Sequence, residues 1–115
     1  MADSDINVFR SSLDLVILKA LSWGPRHGYG VAEWVEYATE ATVLVEEGTL
    51  YPALHRLERR GWVDTEWGAS ENNRRAKFYR LTPAGRAQLR RESSTWLRHA
   101  EAIARALRSA TPEPA

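Results

Sequence analysis

The chain has 115 residues, which fits one domain and leaves little room for a second. Its apolar fraction of 43% is enough for one core and too high for a disordered chain. Cysteine is absent, which excludes disulfides, zinc fingers, iron–sulfur clusters and thiol nucleophiles together and suits a reducing, cytoplasmic setting. The longest apolar runs, such as Leu15-Val16-Ile17-Leu18, fall far short of the ~20 residues that span a bilayer. No membrane partner is therefore expected. The opening Met1-Ala2-Asp3-Ser4-Asp5 is acidic, unlike the basic start of a signal peptide.

The net charge of +1 hides an asymmetry. Residues 1–47 carry three Lys/Arg and eight Asp/Glu, a net of −5. Residues 48–82 carry seven and four, and residues 83–115 six and three, a net of +3 in each. A basic rear half fits a polyanionic partner, chiefly nucleic acid. Taken alone, it fits an unevenly charged solvated surface better.

The first apolar segment holds Leu13, Val16, Ile17, Leu18, Ala20 and Leu21 behind the N-cap candidates Ser11 and Ser12. Its spacing is helical and its density is that of a mostly buried helix. Trp23-Gly24-Pro25-Arg26-His27-Gly28 stops it. A second helical pattern runs through Tyr29, Ala32 and Val35, with Trp34 and Ala38 as further candidates. Ala41-Thr42-Val43-Leu44-Val45 reads as either a brief strand or an extended linker.

A third helix begins near Glu47-Gly48-Thr49 and stops before Gly61, a favourable residue just past a helix end. Pro52 is expected in its first turn, where backbone donors have no partner to lose. Leu50, Ala53, Leu54 and Leu57 share one side. Pro52, His55, Arg56 and Arg59 fall opposite, with Thr49 and Tyr51 on the flanks. Trp62 to Trp67 reads as a strand, Gly68 to Asn73 as a polar turn, and Ala76 to Leu81 as a returning aromatic-rich strand. Arg74, Arg75, Lys77 and Arg80 make this second arm basic. Thr82-Pro83 opens a last helix as N-cap and first helical residue. It runs to about Ser109, and Thr111-Pro112-Glu113-Pro114 begins a disordered tail.

Three helices followed by a hairpin is the order of a winged helix-turn-helix: a mainly α fold with a small β-hairpin and a long C-terminal helix. Its third helix enters the major groove with an apolar back and a hydrogen-bonding, cationic front. Its wing brings cations to the adjoining phosphates. The stretch Glu47-Gly48-Thr49-Leu50-Tyr51-Pro52-Ala53-Leu54-His55-Arg56-Leu57-Glu58-Arg59-Arg60-Gly61 resembles the recognition helix of PadR-like transcriptional regulators. His27-Gly28-Tyr29-Gly30 resembles the opening of their second helix. Trp67 with Asn73 to Gly85 resembles their wing and the entry to their last helix. The resemblance covers roughly residues 11–90, and the short C-terminal part resembles the compact branch of the family. It implies a homodimer, usually a repressor, paired through the last helix.

On this reading residues 1–10 are a flexible N-terminus, 11–82 the DNA-binding domain, 83–109 a dimerisation helix and 110–115 a disordered tail. The DNA-contact candidates are Tyr29, Thr49, Tyr51, Pro52, His55, Arg56, Arg59, Arg74, Arg75 and Lys77. Tyr29 serves equally well as a core aromatic, and Tyr51 has a rival role packed against the hairpin. Tyr79 and Leu81 read as core. Glu46-Glu47 is no metal pair, since adjacent helical residues do not face each other; the two favour the positive helix end. Glu58, three residues from His55, sits on an exposed face with no pocket. His27, His55 and His99 are scattered, and neither a Gly-rich phosphate loop nor a Ser/His/Asp set is present. Neither catalysis, a metal nor a cofactor is expected.

The last helix carries a second signal. Leu89, Trp96 and Ile103 repeat every seven residues, and Ser93, Ala100 and Leu107 interleave. This is a coiled-coil seam that a partner helix would cover, while the Leu89 end folds back onto the first helix. Trp96, flanked by Ser93 and Ala100, is also the candidate contact for a small aromatic ligand, as the resemblance implies for some compact members. The reading is thus a dimeric, cytoplasmic repressor on an inverted repeat. Its rival is a winged-helix protein-interaction module, which needs no basic wing.

Overall fold

The computed structural model describes residues 2–69 and 72–113, with side chains described from Ser12 onward. The order is α1 (Ala2–Leu21), β1 (Arg26–His27), α2 (Gly28–Ala38), α3 (Glu47–Arg59), β2 (Val63–Ala69), β3 (Arg75–Leu81) and α4 (Pro83–Arg108). The fold is the mainly helical winged helix expected, with one strand more. β1 adds to the hairpin and makes an antiparallel sheet in the order β1-β3-β2.

α1 starts at Ala2 and not at the Ser11–Ser12 cap. Nothing between Ala2 and Leu21 breaks a helix, because the segment has neither glycine nor proline. The backbone of residues 2–10, expected as a flexible lead-in, is helical. Met1 and the side chains through Ser11 lie outside the described residues. Leu13, Ile17, Leu18, Ala20 and Leu21 supply the α1 side of the core. Beyond it, Arg26 Nε donates to the Ala20 carbonyl at 3.1 Å and satisfies an open helix end.

His27 caps α2: its Nδ1 accepts from the Gly30 backbone N–H at 3.0 Å. The buried stripe of α2 passes through Val31 and Val35. Tyr29, read as part of that stripe, turns outward. Residues 41–45 are not a strand but a linker: 41–43 form a turn and bends, and 44–46 are irregular. Thr39 organises them by donating to the Val35 carbonyl at 2.8 Å and accepting from Val43 N–H at 3.1 Å.

Leu50, Ala53, Leu54 and Leu57 of α3 are all buried. The helix ends with Gly61 at φ +77°, the left-handed turn that glycine adopts without strain. Gly61 N–H donates to the Glu58 carbonyl at 3.0 Å, and Trp62 N–H to the Leu57 carbonyl at 3.1 Å. These two bonds define a Schellman end. Pro52 lies inside α3, past the first turn, because the helix already begins at Glu47. Its missing donor leaves the Gly48 carbonyl to solvent, which Gly48's exposure permits.

β2 and β3 pair in unbroken register from Val63↔Leu81 to Ala69↔Arg75. Val63 and Tyr79 face the core. Ser70 and Glu71 of the expected turn lie outside the described residues. Thr82 caps α4, accepting from Gly85 N–H at 3.0 Å and donating to the Gly61 carbonyl at 2.6 Å. Both ends of the wing are thereby tied to the end of α3. Leu89 on α4 completes the core against α1. α4 ends at Arg108; of the expected tail, residues 110–113 are irregular and Pro114 and Ala115 lie outside the described residues. Among the described residues no helix is long and apolar enough to cross a membrane.

Candidate nucleic-acid interface

Burying four apolar residues of α3 turns its other side outward. Tyr51, Pro52, His55 and Arg59 are exposed there, and His55 keeps 73% of its side-chain surface. The wing stands beside this face with Arg74 and Arg75 exposed and Lys77 half-buried. Tyr29, at the start of α2, completes the far edge and is 66% exposed. Thr49 is half-buried.

Two open grooves join these side chains. One runs along α3 between Tyr51, Pro52, His55, Arg56 and Arg59. The other lies between the start of α2 and the wing, with Tyr29, Glu33, Trp67, Arg75 and Lys77 on its walls. Tyr51 and Tyr79 border both. The Tyr51 ring lies over Gly28, where any side chain would collide with it. Its fit against the start of α2 therefore depends on a glycine at that position.

The cations differ in their surroundings. The Arg75 guanidinium lies over the Trp67 indole, 4.5 Å from the ring centroid, a cation–π contact that orients it on the wing. Lys77 Nζ is 3.9 Å from Glu58 Oε1 and 5.5 Å from the Tyr79 ring centroid. Arg80, read as part of the basic arm, faces the acids of β2. It donates to Asp64 at 2.7 Å and lies 3.4 Å from Glu66. The hydrogen bond to Asp64 raises its pKa, and the two carboxylates offset the charge it presents.

Arg56, expected opposite the buried stripe of α3, is paired inside the protein. Its guanidinium is held at the edge of the outer face of α3 and forks onto Asp14 of α1, at 2.7 Å from Nη2 and 3.4 Å from Nε. Only 20% of its side chain and 12% of that of Asp14 is exposed. The physical reason is angular. At ~100° per residue Arg56 sits one step from Leu57, at the border of the buried stripe, not opposite it. Asp14 then captures it across the α1–α3 contact. Glu58, read as fully exposed, borders the stripe on the other side. Its Oε1 is buried without a hydrogen-bond partner, 3.8 Å from His55 Nδ1. Burial raises the Tyr79 phenol pKa, with Tyr51 and Glu58 adding to it.

Trp67 is not among the contacts expected from sequence, although a tryptophan within a basic hairpin is a usable signal. His27 is not legible as a cap, because its role depends on where α2 starts. Among the described residues no group of three His, Asp or Glu side chains gathers as metal ligands would.

On α4 the seam residues divide. Leu89 is buried in the core and has no free surface for another helix. Ser93 and Ala100 are half-buried. Trp96, Ile103 and Leu107 are exposed, together with Leu97, which the heptad reading omitted. Trp96 also touches the chain's own α1: its Nε1 donates to Ser12 Oγ at 3.2 Å.

The Transcriptional regulator PadR-like family model matches residues 17–91, which include α2, α3 and the whole wing. An uncharacterised protein of Lysinibacillus sphaericus is 30% identical over 103 residues, covering 90% of this chain and 93% of its own. Transcriptional regulator Rv3488 of Mycobacterium tuberculosis is 42% identical over 64 residues, 56% of this chain and 46% of that protein. A solved transcriptional regulator from Clostridium thermocellum superposes with a TM-score of 0.75 at 29% identity, covering 86% of this chain and 96% of its own. A PadR family transcription regulator from Clostridium difficile gives 0.70 at 27%, covering 82% and 96%. With the winged-helix order, the recognition-helix motif and the family match coinciding on the same residues, the chain belongs to the PadR-like family of transcriptional regulators.

Proposed function

We propose that this chain binds duplex DNA as a homodimeric repressor acting in the cytoplasm. α3 enters the major groove and the β2–β3 wing grips the adjoining backbone. One observation carries the reading: the groove along the polar face of α3 and the groove at the cationic arm of the wing adjoin, sharing Tyr51 and Tyr79 as walls. Tyr51, His55 and Arg59 reach base edges and phosphates. Arg74, Arg75 and Lys77 neutralise backbone charge, and Tyr29 and Thr49 border the contact.

Dimerisation through α4 is supported by its exposed apolar row of Trp96, Leu97, Ile103 and Leu107. The helix has 26 residues, a length of about 39 Å, and projects past the core. Two copies paired there would present their α3 helices to successive major grooves of an inverted repeat, about 34 Å apart. A flat aromatic effector would stack on Trp96 between the paired helices and relieve repression by altering that pairing.

The test is a salt titration. Replacing Arg74, Arg75 and Lys77 together by alanine is expected to weaken binding to all duplexes. The slope of log K against log salt should fall by up to ~0.9 for each lost phosphate contact. A folded triple variant with unchanged affinity and slope would overturn the reading.

A further inference from the structure

The Asp14–Arg56 pair joins residues 42 apart in sequence and links α1 to the helix read as entering DNA. Both side chains are largely buried, so removing either partner strands the other's charge where water reaches it poorly. The guanidinium is a planar fork, and a two-point grip on a carboxylate fixes direction as well as distance. Such a contact at the border of a helix resists rotation of that helix about its own axis.

The other face of α1 is held as well. Ser12 lies two residues before Asp14, and helical residues two apart do not share a face. Ser12 accepts from Trp96 of α4, while Asp14 accepts from Arg56 of α3. α1 is therefore clamped between the C-terminal helix on one side and α3 on the other.

We propose that the Asp14–Arg56 pair is a positioning contact for DNA recognition: it sets the roll of α3 on α1, and Arg56 acts on operator affinity through that roll without touching DNA. The inference rests on the DNA-binding reading given above. Arg56 thus differs in kind from Arg59, three residues further along α3, whose side chain is exposed.

The two roles of Arg56 predict opposite results. Asp14→Asn removes a negative charge and frees the guanidinium. If Arg56 contacts phosphate, binding tightens and the salt slope holds or steepens. If Arg56 positions α3, binding to a specific duplex weakens despite the more favourable net charge. The probe is the tightest-binding duplex selected from a randomised inverted-repeat library with the full wild-type chain, compared with a scrambled duplex.

Under the proposal, Asp14→Asn and Arg56→Gln each weaken the selected duplex on the order of tenfold, within the range over which contacting residues couple. The double variant is no worse than either single one, the scrambled duplex is barely affected by Asp14→Asn, and Arg56→Gln keeps the wild-type salt slope. The charge-swapped variant, Asp14→Arg with Arg56→Asp, guards against a folding defect in the single variants. It regains affinity if the pair positions α3, and loses it if residue 56 faces phosphate. Wild-type or tighter binding by Asp14→Asn, or a slope lowered by about 0.9 in Arg56→Gln, overturns the positioning role. Absence of any salt-dependent binding by the wild-type chain overturns the DNA reading beneath it, a distinguishable failure.

Discussion

Gly28→Ala is expected to damage DNA binding while leaving the fold intact. Gly28 does not have a positive φ, so alanine fits the backbone and reduces the entropy of the unfolded chain, worth about 0.4–1 kcal/mol. The added carbon, however, would lie 2.6 Å from Tyr51 Oη and 2.7 Å from its Cε1. An ordinary carbon contact needs ~3.5 Å, so the ring must retreat by roughly 0.8 Å. The colliding atoms are the free end of an exposed side chain, so that retreat is cheap for stability. On the proposed DNA-binding role it is costly for the Tyr51 hydroxyl: a bond to phosphate of about 2.7 Å stretches to about 3.5 Å and ceases to be one. A hydrogen bond to a charged group contributes ~1.5–3 kcal/mol, or roughly 10- to 150-fold in affinity. The assay is fluorescence anisotropy of a labelled selected duplex at fixed salt, with thermal unfolding run in parallel. Tyr51→Ala should cost a similar factor, and the double variant little more than either. Wild-type affinity in folded Gly28→Ala, or additive losses in the double variant, would refute the reasoning.

Gly85→Ala should behave in the opposite way, because its new carbon meets the Trp62 backbone carbonyl, which cannot swing aside. A net loss of ~1–3 kcal/mol and a clearly lower melting temperature by circular dichroism are expected, and an unchanged melting temperature contradicts the close packing of α4 on Trp62. Ile103→Glu with Leu107→Glu should yield a monomer by sedimentation with weakened operator binding, since tethering two half-sites raises effective concentration. An intact dimer places the interface elsewhere. Saturable quenching of a variant that keeps Trp96 as its sole tryptophan, lost in Trp96→Ala, is expected with planar aromatic ligands; no response from a broad panel leaves Trp96 to packing. The raised pKa of Tyr79 means its neutral phenol is favoured in the folded state. Its contribution to stability is full below the ordinary tyrosine value near 10 and is lost as pH rises through the higher folded value, so Tyr79→Phe should flatten the alkaline limb of a pH–stability curve.

Local rules made much of this molecule legible before any coordinates. The leucine stripe of α3 has helical spacing, Gly61 marks its end and Thr82-Pro83 starts α4, because periodicity, left-handed turns and caps depend on a few adjacent residues. The same holds for the basic hairpin, whose aromatic and β-branched residues favour extended backbone. Asp14 and Arg56 met no such rule. They are 42 residues apart, and a helical wheel shows only that Arg56 borders the apolar stripe, not which helix packs there. β1 was hidden for a related reason: two residues have no periodicity, and Arg26 and His27 became a strand only because Tyr79 and Phe78 lay alongside. Arg80 turned from wing cation to partner of Asp64 through strand register, which sets them opposite each other. The sequence by itself determined where α3 ends and α4 begins and which face of α3 is apolar. The tertiary structure alone decided which charges are spent inside the protein and which remain for a partner, because ion pairing depends on separation in space and not along the chain.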